Sequence, residues 1–210
     1  MCPSRWETSQ ILEKEYNDSG KSKKWKINYS FNYWKGYMQL VDFEGLNLEV
    51  GCGSDGIWRF SDQIIGTDTL DFSEFGKNFI QANVEELPFK DNHFRDVYSI
   101  NMIDHTENPK KALSEMIRVS SHRVYLFSNV FSSYMKPIMN IFDAIHPHHL
   151  TEVDLVNLVP DSVNISMVKQ TYFTDSQHMN GTLMFKGKLI LAQLLGTHCL
   201  LLHLDKKAIT

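Results

Sequence analysis

The chain has 210 residues, of which 42% are hydrophobic and 22% charged, a balance ordinary for one globular domain with a real core. A formal net charge of −4 leaves no basic footprint for nucleic acid. The three cysteines, Cys2, Cys52 and Cys199, are too few and scattered for a disulfide framework or a clustered zinc site, which points to a reducing, cytoplasmic setting.

The N-terminus, Met1-Cys2-Pro3-Ser4-Arg5-Trp6, carries no apolar signal core. Residues 1–45 mix aromatics such as Trp25, Tyr33 and Trp34 with Lys21, Lys23 and Lys24. This segment is read as a helical, aromatic N-terminal unit, with a short helix over Tyr33–Val41. It either packs on the main domain or closes over a cleft as a lid. From residue 46 the pattern becomes regular. Leu46–Val50, Ile64–Asp68, Phe79–Asn83, Asp96–Ile100 and Val124–Phe127 read as short apolar strands.

Asn108 is a good N-cap, Pro109 suits the first helical position, and Ala112, Leu113, Met116 and Ile117 share one helical face. Thr151 with Asp154 predicts a capping box for a second helix, continued by Leu155, Leu158 and Val159 and stopped by Pro160. Beyond it, Val163–Phe173 reads as a strand, Thr182–Leu195 as a helix and Cys199–Leu202 as a final strand. The apolar run Leu189–Leu202 is broken by Gln193, Gly196, Thr197 and His198, too short and interrupted for a membrane span. Alternating strands and helices predict an α/β fold around a mostly parallel sheet, with residues 46–210 as the main domain.

The chemistry centres on Leu48-Glu49-Val50-Gly51-Cys52-Gly53-Ser54-Asp55-Gly56, a strand feeding a glycine-rich turn. Glycines let the backbone turn tightly and approach a ligand, and in such sheets ligands bind beyond the carboxyl ends of the strands. Glu49 before the turn suits an ammonium group. Few residues separate Gly56 from the next strand, leaving little room for the long helix whose N-terminus would hold a pyrophosphate. Asp68, ending the second strand, can accept hydrogen bonds from both hydroxyls of a ribose.

Taken in order, Glu49-Val50-Gly51-Cys52-Gly53, Gly66-Thr67-Asp68, Asn83-Val84-Glu85-Glu86-Leu87-Pro88-Phe89 and Asp96–His105 resemble successive motifs of class I S-adenosylmethionine (SAM) dependent methyltransferases, the type 11 group in particular. The resemblance covers residues 46 to 130. It implies a Rossmann-like, doubly wound, mostly parallel seven-stranded sheet, here with a shortened first helix. It further implies SAM as cofactor and methyl transfer to a small-molecule acceptor. Gly51, Cys52 and Gly53 would line the methionine part of SAM and Glu49 would lie near its amino group. Asp68 would hold the ribose, Asn83 and Val84 would flank the adenine, and Asn101 would sit beside the cofactor. Asp55 stands where many members have glycine, and Ser120-Ser121-His122-Arg123 replaces a glycine-rich loop.

An oxygen or nitrogen acceptor can also need a base. His105 is the first candidate, with a structural or cofactor-facing role as the alternative. Asp143, His146, His148 and His149 read as a substrate-side loop. Their spacing is not a specific zinc signature, so no metal centre is predicted. Two other readings share these residues: a nicotinamide-dependent oxidoreductase using the same glycines, and a non-catalytic SAM-binding module acting through a partner protein.

Overall fold

The computed structural model describes residues 4–18, 44–54, 56–171 and 198–206. The strands are β1 (Asn47–Val50), β2 (Ile64–Asp68), β3 (Phe79–Gln81), β4 (Phe94–Ile100), β5 (Ser120–Val130), β6 (Val163–Thr171) and β7 (His198–Lys206). They form one seven-stranded sheet in the order β3-β2-β1-β4-β5-β7-β6. β1 to β5 are mutually parallel, and β7 lies antiparallel between β5 and β6. The strand order reverses between β1 and β4, which creates a crevice at their carboxyl ends.

Alternation along the strands sorts the core into two layers. Val124 and Leu126 of β5, with Leu200, Leu202 and Leu204 of β7, join one buried cluster. Tyr125 and Phe127, with Leu201, join the other. A parallel sheet covered on both faces demands such continuous apolar strands. The first layer is covered by α2 (Pro109–Val119), which buries Ala112, Leu113, Met116 and Val119. Each large side chain there contributes about 1.5–3 kcal/mol by burial. Asn108 caps α2 by accepting from the Lys111 backbone N–H, and Pro109 occupies the first turn.

The second layer has no long helix after the glycine turn. A 3₁₀ turn, Ile57–Phe60, stands there instead, as the short spacing to β2 requires. Trp58, only 2% exposed, substitutes for the missing helix face and packs with Phe79 at 5.7 Å between rings.

Four elements differ most from the sequence reading. β5 extends to Ser120–Val130 because it is paired along its length by β4 on one side and β7 on the other. Two helices carry no apolar periodicity to announce them: α1 (Arg5–Asp18) and α3 (Lys136–Phe142), which buries none of its side chains. α4 (Glu152–Asn157) has the predicted Thr151–Asp154 capping box but ends before Leu158, which continues as a turn. The helices expected over Tyr33–Val41 and Thr182–Leu195 lie outside the described residues. Among the described residues, no helix is long and apolar enough to cross a membrane.

Candidate active site

At the carboxyl ends of β1 to β4, four loops and the start of α1 enclose about 640 Å³ of space that is partly open to solvent. Gly51 follows β1 with φ of +61°, and a Cβ there would meet Met102 Cγ at 1.9 Å. Both the left-handed backbone and the close approach of Met102 therefore require glycine. Asp68, at the end of β2, ties this turn down. Its Oδ2 accepts from the Gly53 backbone N–H at 3.0 Å and its Oδ1 from that of Leu70 at 3.0 Å.

Asn83 follows β3 and caps a 3₁₀ turn, its side-chain oxygen accepting from the Glu85 N–H at 2.9 Å. Val84, in that turn, is buried yet touches the cleft. Asn101 follows β4 with φ of +50°, a left-handed conformation that Asn tolerates better than most residues. Its backbone N–H donates to the Phe127 carbonyl at 3.0 Å. Its Oδ1 is buried without a hydrogen-bond donor among the described residues.

Of the residues singled out by sequence, Gly51, Asp68, Asn83, Val84, Asn101 and His105 line this one cleft. Glu49, Cys52 and Gly53 are not among its lining residues, and Gly53 reaches it only through its hydrogen bond to Asp68. Glu49 is 2% exposed, and its Oε2 accepts from the Trp58 N–H at 2.8 Å, so the carboxylate holds the 3₁₀ turn. Cys52 turns its thiol into the Trp58 layer, where it faces Gly66.

Residues 48–127 match a family model described as a methyltransferase domain. A SAM-dependent methyltransferase from Mesorhizobium loti superposes with a TM-score of 0.64 at 14% identity, over 82% of this chain and 97% of its own. A SAM-dependent methyltransferase from Thermotoga maritima gives 0.61 at 16% identity, over 96% and 100%. A chain from the complex of the Haloferax volcanii Trm112 methyltransferase activator with a methyltransferase gives 0.65 at 14% identity, over 91% and 96%. Among curated proteins none matches this chain in sequence. These likenesses show that the chain has the fold of SAM-dependent methyltransferases.

The cleft is acidic. Asp68 and Glu85 line it, and no Lys or Arg does so among the described residues. Sequence reasoning missed Glu85. Its Oε1 accepts from the Asn108 N–H at 2.9 Å, joining the β3 loop to the start of α2, a contact between residues far apart in the chain. It missed Gln10 as well, which together with Trp6, one of the aromatics of the segment read as packing on the main domain or as a lid, brings α1 to the cleft mouth. α1 is fastened by Arg5, whose Nη2 donates to the carbonyls of Asp143 at 2.9 Å and His146 at 3.2 Å.

The Asp143–His149 loop thus holds the start of α1 without itself lining the cleft. The His148 N–H donates to the Asp104 carbonyl at 3.2 Å, locking this loop to the turn that bears His105. Burial raises the Asp143 carboxyl, but His146 and His149 outweigh it and leave the group below its ordinary value. His149 is held below the usual histidine value by burial, against the pull of Asp143.

Proposed function

We propose that this cleft binds SAM and that the chain transfers its methyl group to a small-molecule acceptor. The observation that carries the reading is the meeting of Gly51, Asp68, Asn83 and Asn101, from four separate loops, around one acidic cleft at the β1/β4 crevice. Negative side chains without a competing Lys or Arg favour a sulfonium cation.

Asp68 accepts the ribose hydroxyls, and its bond to Gly53 presents the glycine turn to the methionine moiety. Asn83 and Val84 flank the adenine. Asn101 offers its buried Oδ1 to a donor on the cofactor. Glu49 works at one remove, by fixing the 3₁₀ turn behind Gly51. The cofactor supplies the electrophilic methyl. The protein contributes position and electrostatics, in a displacement that needs acceptor, carbon and sulfur in line. His105 stands on the acceptor side as the candidate to take a proton. α1, with Trp6 and Gln10 at the mouth, covers one side of the cleft.

The 3₁₀ turn after Gly56 weighs against the nicotinamide reading, because it offers no helix N-terminus to a pyrophosphate. A second reading, a SAM-binding module dependent on a partner, draws on the Haloferax relative solved with an activator.

Calorimetric titration with SAM, its demethylated product and NAD tests the proposal. Saturable binding of SAM or product without NAD binding is expected. A folded protein that binds none of them would sink the proposal for the isolated chain and turn attention to a partner.

A further inference from the structure

Among the described residues two groups of potential metal ligands occur: Asp104, His105 and His146, of which His105 lines the cleft, and Asp143, His146 and His149. In each, one ligand atom per residue lies within 4.8 Å of the others. The two groups share His146 but differ in surroundings. In the second, Asp143 Oδ2 already contacts His146 Nδ1 at 2.7 Å and His149 Nε2 at 3.2 Å, and Arg5 Nη2 is 3.2 Å from His149 Nδ1. Its groups have partners, and a guanidinium stands where a cation would have to be tolerated.

The first group differs at Asp104, whose Oδ1 no guanidinium bonds among the described residues. Asp104 is only 3% exposed, and its Oδ1 has no hydrogen-bond donor among the described residues. A carboxylate so buried calls for a compensating positive partner. The His105 and His146 rings stand beside it with centroids 4.6 Å apart. Asp143 Oδ2 stands 2.7 Å from His146 Nδ1, and with Nδ1 donating that hydrogen bond, Nε2 is the ring nitrogen left to bind an ion. A carboxylate behind a histidine in this way fixes the tautomer that binds metal.

We propose that Asp104, His105 and His146 form a binding site for a divalent cation of the zinc class, with Asp143 as the carboxylate that orients His146. Two imidazoles and one carboxylate suit zinc or cobalt better than magnesium or calcium, which prefer oxygen donors throughout. Ligand atoms around tetrahedral zinc stand about 3.3 Å apart. Small side-chain rotations therefore close the group around an ion. Three protein ligands leave a fourth position open, and His105 brings that position to the cleft wall. An ion bound there engages His105, so that the metal rather than the imidazole faces an acceptor oxygen. The sequence could not announce this site, because Asp104 and His105 are separated from His146 by α2, β5 and α3.

The test is titration of the chelator-treated full chain with Zn²⁺ by calorimetry, and with Co²⁺ by its visible spectrum. One ion per chain is expected at about micromolar affinity or better, with a Co²⁺ spectrum typical of nitrogen and oxygen ligands. Asp104→Asn and His146→Gln should each weaken Zn²⁺ binding by at least about tenfold. Asp143→Asn should weaken it by about 10–100-fold through the orienting hydrogen bond. His149→Gln should leave it within about threefold. His146, one-third exposed, provides a variant that spares the core if Asp104→Asn does not fold. No binding by the wild type at millimolar Zn²⁺ overturns the proposal. So does unchanged affinity in both Asp104→Asn and His146→Gln. Loss of binding in His149→Gln with retention in Asp104→Asn would move the ion to the other group and overturn it equally. None of these readouts involves SAM, so the outcome is independent of the cofactor reading.

Discussion

The Asp68 carboxylate, at the end of β2, is engaged with the Gly53 and Leu70 backbone N–H groups. The side chain is thus held in place before any ligand arrives. Asp68→Ala is expected to remove charge-assisted hydrogen bonds of roughly 1.5–3 kcal/mol. That corresponds to about a tenfold to hundredfold rise in the Kd for SAM, measured by calorimetry. Asp68→Asn, which keeps the shape but not the charge, should fall between the two. Unchanged affinity in Asp68→Ala would remove the ribose from this position. The place of Glu49 before the glycines suits it to an ammonium group, and in the fold its Oε2 accepts from the Trp58 N–H. Only the folded path of residues 51–58 determines which way that side chain faces.

The missing first helix is the main irregularity among the elements, and Trp58 is its remedy. The short interval between Gly56 and Ile64 announced the reduced helix. It did not reveal what would fill the space. The answer lies in two glycines elsewhere. A Cβ on Gly66 would meet Trp58 Cγ at 2.6 Å, and one on Gly76 would meet Trp58 Cζ3 at 2.6 Å. The indole lies flush against the backbone of β2, and side chains at those positions would lift it. Gly66→Ala should therefore destabilise the fold by overpacking, about 1–3 kcal/mol, read as a lower midpoint in urea with an unchanged slope. An unaltered midpoint would mean that Trp58 can move aside at no cost. Helices α1 and α3 escaped the sequence reading for a related reason. Periodicity reports the face a helix buries, and α3 buries none. The strands and α2 were legible because both faces of the sheet are covered, which writes continuous apolar runs into the sequence.

At the scale of the whole molecule, one buried histidine couples folding to pH. His203 of β7 is 3% exposed and packs edge-on against the Tyr125 ring at 4.6 Å. Burial, and then the Arg123 guanidinium, push its imidazole down to about 4. The unfolded chain titrates this group near 6.5. Between those values the unfolded state binds the proton and the folded state does not, so stability must fall as pH falls through that window. From about pH 7 to about pH 5 the loss amounts to roughly 2 kcal/mol for this residue alone. The lowered carboxyls of Asp143, Asp154, Glu115 and Asp205 contribute nothing there. Their stabilisation is complete above the unfolded carboxylate value and is lost only at lower pH. His149, depressed chiefly by burial, adds in the same direction as His203. Urea unfolding at the two pH values should show the decline in the wild type, and His203→Gln should remove the larger part of it. If the variant keeps the full pH dependence, His203 is protonated in the folded state and the sheet tolerates a buried imidazolium between β5 and β6.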